Sequence, residues 1–157
     1  MRLSTKGRYA VMAMTDLALN ASDKPIALAD IADRQQISLS YLEQLFARLR
    51  RAGLVRSARG PGGGYRLAKP DDKTYVAEIV LAVDEPIRAT RCASHGSPKG
   101  CMGGGERCLT HFLWEDLGAA IHDYLALVSL RDVISRSTRR VAEPSLRQPE
   151  ALFGAAE

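Results

Sequence analysis

Apolar positions recur at helical spacing through most of the first half of this chain. Ala10, Ala13, Met14 and Leu17 stand at i, i+3, i+4 and i+7, which predicts an amphipathic helix with one inward face. Ser4 or Thr5 can cap its start, and the stretch NASDKP, Asn20 to Pro25, ends it with turn-forming chemistry. A second, shorter helix is predicted from Leu28 to about Arg34, with Leu28, Ile31 and Ala32 inward. Gln35-Gln36-Ile37 then makes a tight connection to a third. There Leu42, Leu45, Phe46 and Leu49 repeat the same spacing. At about 100° per residue, the opposite face carries Ser40, Gln44, Ala47 and Arg51, flanked by Glu43 and Arg48.

Beyond Gly53 the pattern changes. Leu54 to Ser57 reads as a strand, and Arg59-GPGGGYRL-Ala68 as a glycine-rich turn with a returning strand, hence a β-hairpin. Asp71 to Thr74 leads into a fourth short helix with Val76, Ile79, Val80 and Val83 inward, closed by Asp84-Glu85-Pro86. No periodicity survives from there to Cys108. From Leu109 to around Arg136 a single helix of roughly 28 residues, a rod of about 42 Å, is expected. Its apolar line runs through Leu109, Leu113, Leu117, Ile121, Tyr124 and Val128, supplemented by Phe112, Leu125 and Val133. That is more apolar surface than a small helical module can cover, so a second copy of the chain is the expected partner. The segment from Ser137 to Glu157 carries two prolines and reads as a frayed or disordered tail. The expected division is therefore 1–84, a DNA-binding module; 85–108, a ligand loop; 109–136, a dimerisation helix; and 137–157, the tail.

Charge sharpens this picture. Residues 1–69 hold 12 Lys/Arg against 5 Asp/Glu, although the whole chain is only +4. A cationic first module implies a polyanionic partner. A short helix, a tight turn and a second helix with a polar outer face is the helix-turn-helix arrangement. In a major groove, Gln44 can pair with adenine, arginine with guanine, and Ser40 with either. Glu43 has two readings. Ser40-Tyr41-Leu42-Glu43 has capping-box spacing, and a carboxylate can equally accept from a cytosine amino group. Arg59 and Arg66 flank the hairpin glycines and are placed to meet phosphate or the minor groove. No Lys-Ser/Thr pair follows these glycines, so a nucleotide-binding loop is not indicated.

All three cysteines lie between Cys92 and Cys108, with His111 just beyond. An odd number of thiols argues against a disulfide framework. Three sulfurs and an imidazole suit zinc or an iron–sulfur cluster. The absence of a Cys-x-x-Cys turn, usual in zinc knuckles, moves the balance towards a cluster, with zinc and unliganded thiols as alternatives. His95 lies in the same loop and could substitute as a ligand. Catalytic serine, Walker and dinucleotide motifs are missing, so an enzyme is not expected. No run reaches the ~18 apolar residues of a membrane-spanning helix. Met1 to Lys6 leads into an amphipathic pattern rather than a signal peptide, and a cytoplasmic location is expected.

Four stretches carry a resemblance: residues 1–15 (MRLSTKGRYAVMAMT), 38–51 (SLSYLEQLFARLRR), 59–68 (RGPGGGYRLA) and 108–112 (CLTHF). Through them, residues 1–134 resemble the IscR family of bacterial iron–sulfur cluster-binding winged-helix regulators. The resemblance implies a mostly α winged helix-turn-helix domain with a two-stranded wing and a homodimer. It also implies a [2Fe–2S] cluster on Cys92, Cys101, Cys108 and His111. Cluster-loaded protein would repress cluster-assembly genes, and some promoters would still be bound by the cluster-free form. Double-stranded operator DNA and cluster-assembly or donor proteins are the implied partners. Ser40, Glu43, Gln44 and Arg59 match the positions that read DNA in that family. With Ser38, Tyr41, Arg48, Arg51, Gly60 and Arg66 they make the candidate DNA-binding set. One departure is visible. The eight- and six-residue spacers between the cysteines are longer than the family's usual pattern, so cluster stability and potential transfer less securely. Alternatives are a zinc-bound structural or adaptor protein and a nitric oxide- or iron-responsive relative.

Overall fold

The computed structural model describes residues 5–83, 87, 101–102 and 106–142, with side chains up to 139. Helices α1 (Thr5–Leu19), α2 (Leu28–Gln35) and α3 (Leu39–Arg51) are followed by strands β1 (Val55–Ala58) and β2 (Gly64–Leu67), then by a 3-10 turn (Asp71–Lys73). Helices α4 (Val76–Ala82), α5 (His111–Leu127) and α6 (Leu130–Ala142) complete the order. The strands form one antiparallel hairpin with Arg56 opposite Arg66 and Ser57 opposite Tyr65.

The expected inward faces are the ones buried. Met14, Leu17, Ile31, Leu42, Leu45, Phe46 and Leu49 share one core with Leu54 and Val55 of the hairpin and with Ile79 and Val83 of α4. The turn between α2 and α3 closes tightly because Gln36 takes a left-handed conformation (φ 53°). The Ile37 amide then reaches back to the Ala32 carbonyl, and its side chain is buried. At the far end of α3, Gly53 takes φ +73°. Its amide bonds the Arg50 carbonyl and the Leu54 amide bonds the Leu49 carbonyl, satisfying two otherwise orphaned acceptors. Gly64 starts β2 so close to Ile26 that a Cβ there would overlap the Ile26 carbonyl. Two hydrogen bonds between Ile26 and Tyr65 tie the hairpin to the α1–α2 connection.

Two expectations need correction. The single helix over 109–136 is two helices, α5 and α6, and Leu109 is fully exposed ahead of them. Val128 is extended (φ −97°, ψ 113°), and Ser129 pairs antiparallel with Tyr75. The Val76 amide bonds the Val128 carbonyl, and the Leu130 amide bonds the Thr74 carbonyl. These long-range bonds within the chain replace helical ones at that point. Leu130 is then buried in the main core and α6 packs against α1, so this helix belongs to the first module rather than to a separate arm. The tail expected from residue 137 is contradicted over its first six residues, because α6 reaches Ala142, and the rest of it lies outside the described residues.

Candidate functional site

Two groups of side chains carry the candidate chemistry, one on α3 and the hairpin, the other at the start of α5. On α3, Ser40, Glu43, Gln44 and Arg51 are exposed, opposite the buried leucines and Phe46. Ser38, also exposed, is the residue on which the helix starts (φ −61°, ψ 137°), without a side-chain capping bond. Ser40 therefore lies inside the first turn. The capping box read from Ser40 and Glu43 is two residues out of frame, and the Glu43 carboxylate is left on the open face.

Two members of the candidate set turn elsewhere. Tyr41 is half-buried with its ring edge-on to Tyr9 of α1, the centroids 6.0 Å apart. Arg48 is half-buried and donates from Nη1 to the Val83 carbonyl at 3.2 Å. Arg59 and Gly60 are exposed at the hairpin tip. Arg66 is exposed and donates to the Asp23 carbonyl.

Two arginines outside the expected set join this surface. Arg50 is exposed, with Nη1 3.4 Å from Ser57 Oγ. Arg56 is exposed directly across the hairpin from Arg66. Like charges opposite one another on a hairpin are destabilising, so this pair favours an anionic counterpart. The signal for Arg56 was its outward parity in the strand, since Val55 on the other parity is buried.

At the second group the chain turns from Cys108 into α5. The His111 amide bonds the Cys108 carbonyl at 3.0 Å. His111 is buried, its side chain only 9% exposed, with Nδ1 3.6 Å from Cys101 Sγ. The Cys108 amide donates to Cys101 Sγ at 2.9 Å. On its far side, His111 Nε2 is 3.9 Å from a Glu115 carboxylate oxygen one helical turn on. That i+4 spacing could have drawn attention to Glu115 in the sequence. Cys108 Sγ is half-exposed and lies 3.7 Å from Thr110 Oγ1. Cys92 lies outside the described residues.

The Cys101–His111 pair has the spacing of two ligands on one tetrahedral thiophilic metal. Sulfur about 2.3 Å and nitrogen about 2.0–2.1 Å from one such ion stand roughly 3.5 Å apart. The Cys101–His111 separation is 3.6 Å. Among the described residues no group of three or more metal-type side chains is gathered, so the Cys108 thiol does not join Cys101 and His111 in this arrangement. Along the helix that begins at His111, Phe112, Leu113, Leu117, Tyr124 and Leu127 are exposed. Among the described residues no helix is long and apolar enough to cross a membrane.

Comparison with known proteins places these features together. The family description Rrf2, an iron-dependent transcriptional regulator, matches residues 3–136. The HTH-type transcriptional regulator IscR of Photorhabdus laumondii is 56% identical over 135 residues, covering 86% of this chain and 80% of that protein. IscR of Cronobacter sakazakii is 52% identical over 148 residues, covering 94% and 88%. Among solved structures, T. potens IscR superposes with a TM-score of 0.68 at 33% identity, covering 94% of this chain and 93% of that one. CymR, the global cysteine regulator of B. subtilis, gives 0.70 at 32% identity, covering 87% and 98%.

Proposed function

The chain belongs to the Rrf2 family of iron-dependent transcriptional regulators, and from that premise we propose that its operator occupancy is set by an iron–sulfur cluster. It is a DNA-binding winged-helix regulator and not an enzyme. In the proposed arrangement two copies pair through the exposed face of α5 and present two α3 helices to successive major grooves. Gln44, Ser40 and Glu43 read base edges, while Arg59 and Gly60 at the wing tip meet the backbone or minor groove. Arg51 and Arg66 add positive charge along the same path. The protein acts in the cytoplasm and receives its cluster from assembly or donor proteins.

Cys92, Cys101, Cys108 and His111 would hold a [2Fe–2S] cluster, which when bound supplies a reversible occupant sensitive to iron supply and redox state. The chain's own part is to hold the ligands. Burial fixes the His111 ring, Glu115 stands behind it, and the Cys108 amide donates a hydrogen bond to Cys101 Sγ. The single observation supporting a bound metal is the 3.6 Å approach of Cys101 Sγ and His111 Nδ1. Protein purified without oxygen should be coloured and carry about two irons and two sulfides per subunit. Colourless protein with stoichiometric zinc would replace the cluster by a structural ion.

A further inference from the structure

Arg48 stands on the recognition helix and yet does not reach outward. Its guanidinium crosses to α4 and donates to the carbonyl of Val83, the residue that ends that helix and is fully buried. Val83 is also where the chain leaves the helical module for the cysteine segment, Cys92 lying nine residues on. Four residues past Val83, Ile87 packs against the cluster of Val76, Val80 and Val128, which Leu125 near the end of α5 also borders. The root of the cysteine segment is thus held from two sides. Arg48 holds it to the DNA-reading helix, and Ile87 holds it to the cluster that includes Val128, the residue capping the helix that begins at His111.

We infer that Arg48 is a coupling residue, transmitting the state of the cysteine segment to α3, rather than a DNA contact. This rests on the cluster-gated reading above. The physical reason is the connectivity. A donor in the last turns of α3 bonded to a backbone carbonyl makes the placement of α3 depend on where Val83 sits. Cys92, nine residues beyond Val83, is a proposed ligand, so ligation would restrain Val83 through the chain and bias that placement. A side chain bonded inward in this way raises affinity for one arrangement of the two helices over the other. Such a difference is what a ligand needs in order to shift a population. A phosphate contact would act alike in both states.

The test uses full-length protein, cluster-loaded and cluster-free, on native promoters at several salt concentrations. The variants are Arg48→Met, which keeps the apolar stem and removes the donors, and Arg48→Lys, which keeps the charge. Couplings of this kind usually span roughly 5–150-fold in affinity. Where wild type shows such a ratio between its two states, Arg48→Met should bring it to about unity with the salt slope unchanged, and Arg48→Lys should restore part of it. Equal loss in both states, with the slope lower by about one ion and rescue by lysine, would make Arg48 a phosphate contact and overturn the inference. An intact ratio with only a lower melting temperature would reduce it to a packing residue and overturn it equally. A wild-type ratio of one at every promoter would overturn the gating reading and this coupling together. Should Arg48→Met fail to fold, hydrogen exchange on wild type decides: loading should change protection across α3, and unchanged protection there would overturn the coupling.

Discussion

Nδ1 of His111 lies 3.6 Å from Sγ of Cys101, while Nε2 of the same ring faces Glu115 at 3.9 Å. The two ring nitrogens therefore have separate surroundings, one towards sulfur and one towards a carboxylate. A ring held this way is suited to ligate through Nδ1 and to donate through Nε2. His111→Cys should keep a cluster but lower its reduction potential, because a thiolate adds negative charge where a neutral imidazole stood. Potentiometry on the loaded variant checks it. A potential equal to wild type would remove His111 from the ligand set.

Gln44→Ala should cost about 1–3 kcal/mol on the cognate operator and little on random DNA, since its side chain lies on the open face of α3. Arg59→Ala should weaken both kinds of site and lower the salt slope by about one ion where the lost contact is to phosphate. Titrations on specific and random duplexes across a salt series separate the two. Equal losses from Gln44→Ala on both duplexes would exclude it from base reading.

Leu113 is 60% exposed on α5, so changing it disturbs little within one copy. Leu113→Asp should nevertheless break the proposed pairing, because the seam would have to bury an unpaired carboxylate. Sedimentation should show a folded monomer with weakened operator binding. A variant that remains dimeric would place the interface elsewhere.

Ser129 and Asp132 cap α6 reciprocally. Both the amide and the hydroxyl of Ser129 donate to the Asp132 carboxylate, and the Asp132 amide donates back to the hydroxyl. The Ser129 hydroxyl first, and its amide second, hold the Asp132 pKa below its usual 3.8. A lowered carboxylate contributes stability that is present above the unfolded pKa and lost as pH falls through the folded one. Ser129→Ala should lower the melting temperature by a few degrees at neutral pH. Its deficit should narrow, without vanishing, as pH falls through and below 3.8, since the bond from the Asp132 amide to the hydroxyl does not titrate. Melting curves across an acid series would show this; a constant deficit would mean that the carboxylate does not contribute to the cap.

Much of this protein was legible in its residues alone. The inward faces of α1, α2, α3 and α4 followed from spacing, because a helix repeats every 3.6 residues and only one side meets the core. The hairpin followed from glycine and strand chemistry, the nucleic-acid partner from charge gathered in residues 1–69, and the proposed ligand set rests on three thiols and an imidazole in one segment. Periodicity, however, reports which residues prefer burial and not which neighbour buries them. The stripe from Leu113 to Val133 runs unbroken past Ser129, so it read as one helix. The break arises because Val128, Ser129 and Leu130 find backbone partners on Thr74, Tyr75 and Val76, more than fifty residues away. Arg48 and Gln44 share a polar face in the sequence, and only the position of Val83 turns one inward while the other stays open. Local preference set the elements, and contacts between distant residues set where the helices end and which polar groups remain free to meet DNA or a metal.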